Sequence, residues 1–200
     1  MAVRLRCLVG LFAVTVAAAV CALPANAGLL GTGQASYCAG SAQTFGQWND
    51  SAYYMLTPGG SFEPGSPAWS LSGGAKIVSG NESYYLNSRY DSHSLYMPSG
   101  SKGSTPTMCF AAGDFHLRFV GKGSGRIHVT ITVNSLLGVL SILDGGTVQP
   151  GGAWSPSPEV SLLLSQIGGA LTTKAISLNF AVSGGSAQID DVYLDPFKDT

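Results

Sequence analysis

The sequence predicts an all-β protein, a two-sheet antiparallel β-sandwich, and three observations support this. Hydrophobic and polar side chains alternate along residues 115–119, 127–133 and 176–182, a period of two that is typical of strands with one buried and one solvated face. Glycine (27 residues) and proline (10 residues) separate many short segments at fairly even spacing, as in sandwiches of short strands. No stretch of comparable length has hydrophobic residues at helical spacing.

Residues 1–27 are interpreted as a secretory signal peptide. Two arginines precede an apolar run over residues 7–23, and an Ala-x-Ala cleavage pattern follows at residues 25–27. The run is shorter than the ~20 apolar residues that a membrane-spanning helix needs, so an uncleaved N-terminal anchor is the alternative. Cleavage after Ala27 removes 27 of the 200 residues and leaves 173, which is the size of one domain.

The composition of the mature chain indicates a secreted protein. Removing the signal peptide removes two of the ten basic residues, which leaves eight against eleven acidic ones, a net charge of −3. This balance provides no basic patch for nucleic-acid binding. The two remaining cysteines, Cys38 and Cys109, are expected to form a disulfide in an oxidising compartment, which would add ~4 kcal/mol in the chain-entropy description. We expect an extracellular monomer without a membrane segment after cleavage.

The first part of the mature chain is predicted to be an irregular arm followed by short strands. Residues 28–50 contain Gly, Ser, Ala and Gln with scattered aromatics and form the arm, and the sandwich occupies residues 51–200. Strands are expected at 53–56, 68–71, 75–78, 83–86 and 93–97. Pro58-Gly59-Gly60 ends the first of these, and Gly73-Gly74 is interpreted as a hairpin connection.

The second part contains the three alternating stretches, weaker strand candidates and a closing strand. The weaker candidates are residues 139–142, 147–149 and 160–164. The turn signal Asp144-Gly145-Gly146 separates the first two, and residues 166–172 are predicted to form one helical turn. Residues 121–125 are interpreted as a hairpin turn and not as a phosphate loop, because no helix follows them. The closing strand starts at Gln188 and ends before Pro196, which lacks the N–H that a sheet needs.

Residues 60–63 (Gly-Ser-Phe-Glu) with Trp69, and residues 189–194 (Ile-Asp-Asp-Val-Tyr-Leu), carry a family likeness. They resemble the ends of the galactose-binding-like jelly-roll domains of secreted carbohydrate-binding modules. The chain also resembles a group of secreted actinobacterial proteins with the same cysteine, Phe-Gly-x-Trp and Asp-Asp-Val features, a likeness that implies no activity. The first resemblance implies a jelly roll over about residues 53–196 and a non-catalytic function in carbohydrate or cell-surface binding.

The same resemblance implies a structural calcium ion bound by Glu63 and Asp190. Calcium takes about six to eight oxygen ligands, many of which are backbone carbonyls. If Val192 and Leu194 face the core, Asp190 on the same strand is expected to point inward. A buried carboxylate needs a partner, and calcium, an arginine or backbone N–H groups are the alternatives.

Sugar binding needs aromatic side chains that stack on sugar rings and polar side chains beside them. The exposed aromatic candidates in loops are Trp48, Tyr84, Tyr85, Tyr90 and Trp154. The solvent-facing polar candidates, which form one face if their strands are neighbours, are His116, Arg118, His128, Thr130 and Asn179. The predicted ligand-binding residues are Tyr85, His116, Arg118 and His128. The alternative is that the aromatics pack in the core and that the polar face is merely solvated.

An enzyme is the competing class of protein. The chain has no Gly-x-Ser-x-Gly elbow, and its three histidines do not follow a zinc-binding spacing such as His-Glu-x-x-His. No pair among its eleven carboxylates suggests a glycosidase. We therefore predict a protein that binds a polysaccharide or cell-surface glycan. An exported structural or adhesive protein without a small ligand is the alternative.

Overall fold

The computed structural model describes residues 41–108, 115–135, 140–162 and 173–195. Within them the chain forms one 3-10 helix, η1 (Gly46–Trp48), and twelve strands in two antiparallel sheets. The strands are β1 (Met55–Leu56), β2 (Ser70–Ser72), β3 (Lys76–Ser79), β4 (His93–Met97), β5 (Lys102–Ser104), β6 (Phe115–Gly123), β7 (Arg126–Ser135), β8 (Leu140–Val148), β9 (Ser155–Pro156), β10 (Val160–Leu162), β11 (Thr173–Ser183) and β12 (Ala187–Asp195). In these ranges no helix is long and apolar enough to span a membrane.

The five-stranded sheet has the order β2-β5-β11-β7-β8. Two of the alternating stretches, in β7 and β11, are neighbours, and Val129 pairs with Phe180. Both of these side chains are fully buried. The next pair, Thr130 and Asn179, is half-buried on the opposite face. The predicted alternation is therefore confirmed for these two strands.

The seven-stranded sheet has the order β10-β6-β12-β4-β3, and in addition β1 pairs with β12 and β9 with β6. The closing strand β12 lies at its centre, between β6 and β4. This agrees with its prediction as a strand against which earlier segments pair.

The core lies between the two sheets. Phe119 of one sheet and Phe180 of the other have ring centroids 5.7 Å apart, and Trp69 lies 5.3 Å from Phe180. Each large apolar side chain that is fully buried contributes about 1.5–3 kcal/mol, so this interface is the main source of stability. The prediction of a two-sheet antiparallel β-sandwich of jelly-roll type is confirmed.

Two glycine-containing turns that were predicted to be hairpins connect one sheet to the other. Gly73-Gly74 lies between β2 of the five-stranded sheet and β3 of the seven-stranded sheet, and residues 121–125 join β6 to β7 in the same way. Gly123 has a φ of 136°, and a Cβ there would lie 2.3 Å from the backbone oxygen of Ser186. A glycine turn indicates that the chain reverses, but it does not indicate which sheet receives the next strand.

Four further predictions differ from the structure or lie outside the described residues. Residues 83–86 form bends and not a strand. Residues 144–146, predicted to separate two strands, lie inside the single strand β8. Val129 pairs with Gly146 and Thr130 with Asp144, so β8 has a bulge at this point. The cysteines Cys38 and Cys109 and the predicted helical turn at 166–172 lie outside the described residues, so the disulfide and the turn stay predictions.

The described part of the predicted arm, residues 41–50, packs on the outer face of the seven-stranded sheet. Phe45 is fully buried, and its ring contacts those of Tyr54 (5.0 Å) and Tyr193 (5.8 Å) edge to face. Ala42 forms a backbone bridge with Tyr54. These residues form a small second apolar cluster that covers one end of this outer face.

Candidate ligand-binding surface

A bulge in β12 decides which side chains reach the outer face of the seven-stranded sheet. Asp190 pairs with Val120 and Tyr193 with Arg118, so β12 has one residue more than β6 between these pairs. The bulge includes Asp191, whose φ of 48° is unusual for a residue with a side chain. The extra residue reverses the alternation of faces. The prediction that Asp190 points into the core is therefore wrong, because it lies on the outer face.

Three carboxyl groups meet there beneath the loop that joins β3 to β4. Glu82, Asp190 and Asp191 are each at most 1% exposed. The backbone N–H groups of Glu82 and Asp191 donate to the two oxygens of Asp190 at 3.0 and 2.9 Å. Burial, followed by the neighbouring charge of Asp191, raises the pKa of Asp190 to about 9. Burial also raises the pKa of Asp191 to about 7. Without a cation, Asp190 therefore keeps its proton at neutral pH.

The two carboxylates predicted to bind calcium have separate partners. Glu63 accepts hydrogen bonds from the backbone N–H groups of Ser92 (2.5 Å) and His93 (2.6 Å). Within the described ranges, no group of three or more His, Cys, Asp or Glu residues is arranged to hold a metal ion. Asp191 Oδ1, however, is buried and has no hydrogen-bond partner among the described residues. Carboxylate oxygens are ligands that suit Ca²⁺. Calcium binding by Glu63 and Asp190 stays a prediction.

A pocket of about 390 Å³ lies beside Glu63 and is lined by apolar groups that include Pro67, Trp69 and Ile77. His93 forms its polar side together with Glu63. The ring nitrogen Nδ1 of His93 lies 3.0 Å from Glu63 Oε2 and also 3.0 Å from Ser92 Oγ. In a catalytic triad the serine and the acid contact different ring nitrogens. This trio therefore lacks the arrangement of a proton relay.

Arg118, predicted to bind ligand, joins the arm to the sheet. Its guanidinium donates to Asp50 Oδ2 at 2.7 Å and to the backbone oxygen of Ser157 at 2.8 and 3.0 Å. Its Cζ lies 4.6 Å above the ring centroid of Phe45. Burial alone would raise the pKa of Asp50, but the hydrogen bonds from Arg118, Tyr54 and the Ala52 N–H outweigh it and hold this pKa below its usual value. The donors of Arg118 are thus used within the protein.

The other predicted ligand residues lie apart from one another. His116 is buried and pairs with Glu159 at 2.9 Å on the seven-stranded sheet. His128 is exposed on the five-stranded sheet, where its Nε2 lies 2.9 Å from Asp144. The hypothesis of one polar face is wrong, because β6 belongs to one sheet and β7 and β11 to the other. Tyr85 is 52% exposed in the loop before β4. Whether any of these residues binds a ligand stays a prediction.

The structure brings together three of the predicted loop aromatics in what we call the aromatic surface, made of Trp48, Tyr84, Trp154 and Lys122. Tyr84 Oη donates to the backbone oxygen of Trp154 at 2.9 Å, and the rings of Trp48 and Tyr84 meet edge to face at 4.9 Å. Lys122 Nζ lies 4.5 Å from the ring centroid of Trp154. Tyr84 is exposed and the other three are half-buried.

Sequence reasoning missed Lys122, although a signal existed. His116 and Arg118 occupy outward positions of β6, and Lys122 continues the same alternation near the end of that strand. It also missed Glu82, whose carboxylate accepts from the backbone N–H groups of Tyr84 and Leu86 in its own loop, because its burial against β12 depends on a contact with Asp190 that is far away in the sequence. The protein is therefore a jelly-roll sandwich that carries the aromatic surface, one exposed and three half-buried side chains, on the outer face of the seven-stranded sheet.

Comparison with known proteins agrees with this fold. No family model matches the chain, and no curated protein matches it in sequence. Among solved structures, it is similar to the enzymatically active domain of tailspike protein 4 of bacteriophage CBA120, with a TM-score of 0.50 and 18% identity over 69% of this chain and 20% of that chain. This likeness shows the fold, and the chain spans only 20% of the tailspike domain.

Carbohydrate-binding modules are also among the similar structures. The CBM22-1 xylan-binding domain of Paenibacillus barcinonensis Xyn10C has a TM-score of 0.47 and 10% identity over 74% of this chain and 94% of that chain. TmCBM61, in complex with β-1,4-galactotriose, has a TM-score of 0.42 and 20% identity over 70% of this chain and 92% of that chain.

Proposed function

We propose that the protein is a secreted, non-catalytic carbohydrate-binding protein and that the aromatic surface is its binding site. The observation that carries the proposal is the contact series that joins Trp48, Tyr84, Trp154 and Lys122. Tyrosine and tryptophan present flat apolar faces with polar edges, which suit the apolar faces and hydroxyl groups of a sugar ring. Secretion rests on the signal-peptide interpretation of residues 1–27.

The aromatic surface is held in place before any ligand arrives. The hydrogen bond from Tyr84 fixes the backbone at Trp154, and Lys122 lies against the indole ring. A preformed site loses less conformational entropy on binding than a mobile one. These contacts therefore favour a binding role over the alternative of aromatics that are exposed only by chance.

The outer face of the five-stranded sheet is less suited to sugar binding. Its central polar groups bond to each other: Asn179 donates to Thr132 Oγ1 at 3.0 Å and accepts from Ser104 Oγ at 2.8 Å. The described outward residues of β7 and β11 include no aromatic side chain. These strands therefore offer a sugar no aromatic stacking platform.

A glycan array with the purified mature protein tests the proposal. We expect binding that Trp154→Ala reduces at least about tenfold, because loss of a central aromatic contact removes more than 1 kcal/mol. Tyr90→Ala is the matched control, since Tyr90 is 75% exposed and contacts Arg89 outside the aromatic surface. Equal binding by Trp154→Ala and wild type would reject this site. Absence of any bound glycan would favour the structural or adhesive alternative.

We also propose that Asp190 takes part in a structural calcium site. The buried, unpartnered oxygen Oδ1 of Asp191, next to Asp190 in the chain, supports an ion at this position, although the described carboxyl groups are not grouped as a set of three metal ligands. Glu63 would join only if it exchanged its bonds to the N–H groups of Ser92 and His93 for the ion. A bound cation would stabilise the ionised form of the cluster and fix the loop that contains Glu82.

A further inference from the structure

We infer that the protein binds a linear acidic polysaccharide, through a row of side chains that crosses the outer face of the seven-stranded sheet. This inference rests on the proposed function and names its class of ligand. Strand register defines the row: Lys76 pairs with Tyr96, Tyr96 with Gln188, and Gln188 with Lys122. Trp154 of the aromatic surface extends the row beyond Lys122.

The side chains of the row point away from the core. Leu95 and Met97, on either side of Tyr96, are core residues, as are the neighbours of Gln188, Ala187 and Ile189. Because successive side chains of a strand alternate between faces, Tyr96 and Gln188 lie on the outer face. Lys76 is exposed, and the other three members of the row are half-buried. A ligand that lies across the strands can therefore reach all four.

Two contacts hold the row in position. Gln188 Nε2 donates to Ser94 Oγ at 2.6 Å, which fixes its amide, and Lys122 rests on the Trp154 ring at 4.5 Å. Neighbouring strands lie ~4.8 Å apart, so the three steps from β3 to β6 separate the lysines by roughly 14 Å. This length fits an extended oligosaccharide and exceeds a single sugar. The row is therefore long enough to contact several units of a chain.

The charge of the row favours an acidic sugar. Neither Lys76 nor Lys122 takes part in an ion pair among the described residues. Asp190, two residues along β12 from Gln188, and Glu82 of the loop before β4 are at most 1% exposed, so their carboxyl groups are not presented to a ligand on this face. A lysine ammonium forms a charge-assisted hydrogen bond with a carboxylate. Two lysines at the ends of a row thus match two uronic acid units of one chain, and Tyr96 and Trp154 offer rings between and beside them.

The test compares oligogalacturonate with its fully methyl-esterified form, which has the same backbone without the charge, by titration calorimetry. We expect wild type to bind the acid form at least about tenfold more tightly at low salt, with a loss of affinity in high salt. The variant Lys76→Gln with Lys122→Gln is expected to lose this preference. Lys102→Gln is the matched control, because Lys102 is exposed on β5 of the other sheet.

The outcomes separate this inference from the proposed function. If wild type binds the ester or a neutral glycan as tightly as the acid, and Trp154→Ala abolishes that binding, the carbohydrate function stands and the acidic ligand is rejected. If the double variant binds the acid form as wild type does, the row is not the site and the inference fails. If no glycan binds, both proposals fail. Circular dichroism spectra of the variants confirm that each is folded.

Discussion

At the scale of single residues, the same polar side chain can bind a ligand or join two parts of a protein, and its partners decide which. Arg118 stands on an outward position of β6, as its alternation predicts, but Asp50 of the arm lies above it at 2.7 Å. Only 12% of the Arg118 side chain and 14% of the Asp50 side chain are exposed. This pair therefore joins the arm to the sheet and contributes to stability, and ligand binding by Arg118 stays a prediction.

The variant Asp50→Asn tests this role. We expect it to lower the free energy of unfolding by about 1–3 kcal/mol at neutral pH, the cost of weakening a partly buried charged hydrogen bond. The stability that ionised Asp50 provides is present above its unfolded-state pKa of about 4 and is lost as the pH falls through its lower folded-state pKa. The difference in unfolding free energy between variant and wild type should thus shrink as the pH falls through this lowered folded-state pKa.

Urea denaturation at several pH values measures this difference. Asp144→Asn is the control, because Asp144 is exposed and pairs with His128 at the surface. If the variant and the wild type differ in free energy of unfolding by the same amount at neutral and acidic pH, the loss of the Asp50 charge is not the cause of the difference.

At the scale of elements, the bulge in β12 determines the chemistry of the outer face. The sequence pattern alone places Asp190 on the core side with Val192 and Leu194. The structure instead buries Ile189, Val192 and Leu194 in the core, a spacing of three followed by two. Alternation correctly predicts which segments are strands. It does not locate an inserted residue, because the bulge depends on pairing with β6 and on the loop that packs over Asp190.

Calcium removal tests the chemistry of this element. We expect Ca²⁺ to raise the melting temperature of the wild type relative to EDTA, since an ion at a hundredfold excess over its Kd adds about 2.7 kcal/mol, or roughly 5–10 °C for a chain of this size. Asp190→Asn should lose the response to calcium and Asp144→Asn should keep it. Identical melting curves in EDTA and in calcium would contradict the calcium site. Protonation and hydrogen bonding would then account for the burial of these carboxyl groups.

At the scale of the whole molecule, the two outer faces differ in kind. At the centre of the five-stranded sheet, small polar side chains bond to each other, whereas the arm, the loop before β4 and the loop that contains Trp154 cover part of the outer face of the seven-stranded sheet. The sequence predicts the sandwich because alternation and turns are local signals. The aromatic surface joins residues 48, 84, 122 and 154, and such long-range contacts are not encoded in any local pattern.

The assignment of ligand binding to the seven-stranded sheet can be measured directly in solution. The chain has three tryptophans, so the indole N–H region of a ¹⁵N-correlated NMR spectrum reports on each of them. Trp69 is buried and its Nε1 donates to the backbone oxygen of Pro58, which makes it an internal reference. On titration with a glycan that binds, we predict that the signal of Trp154 shifts and that of Trp69 stays. Shifts confined to the amides of β7 and β11, with the Trp154 signal unchanged, would place the ligand on the other sheet and contradict the assignment.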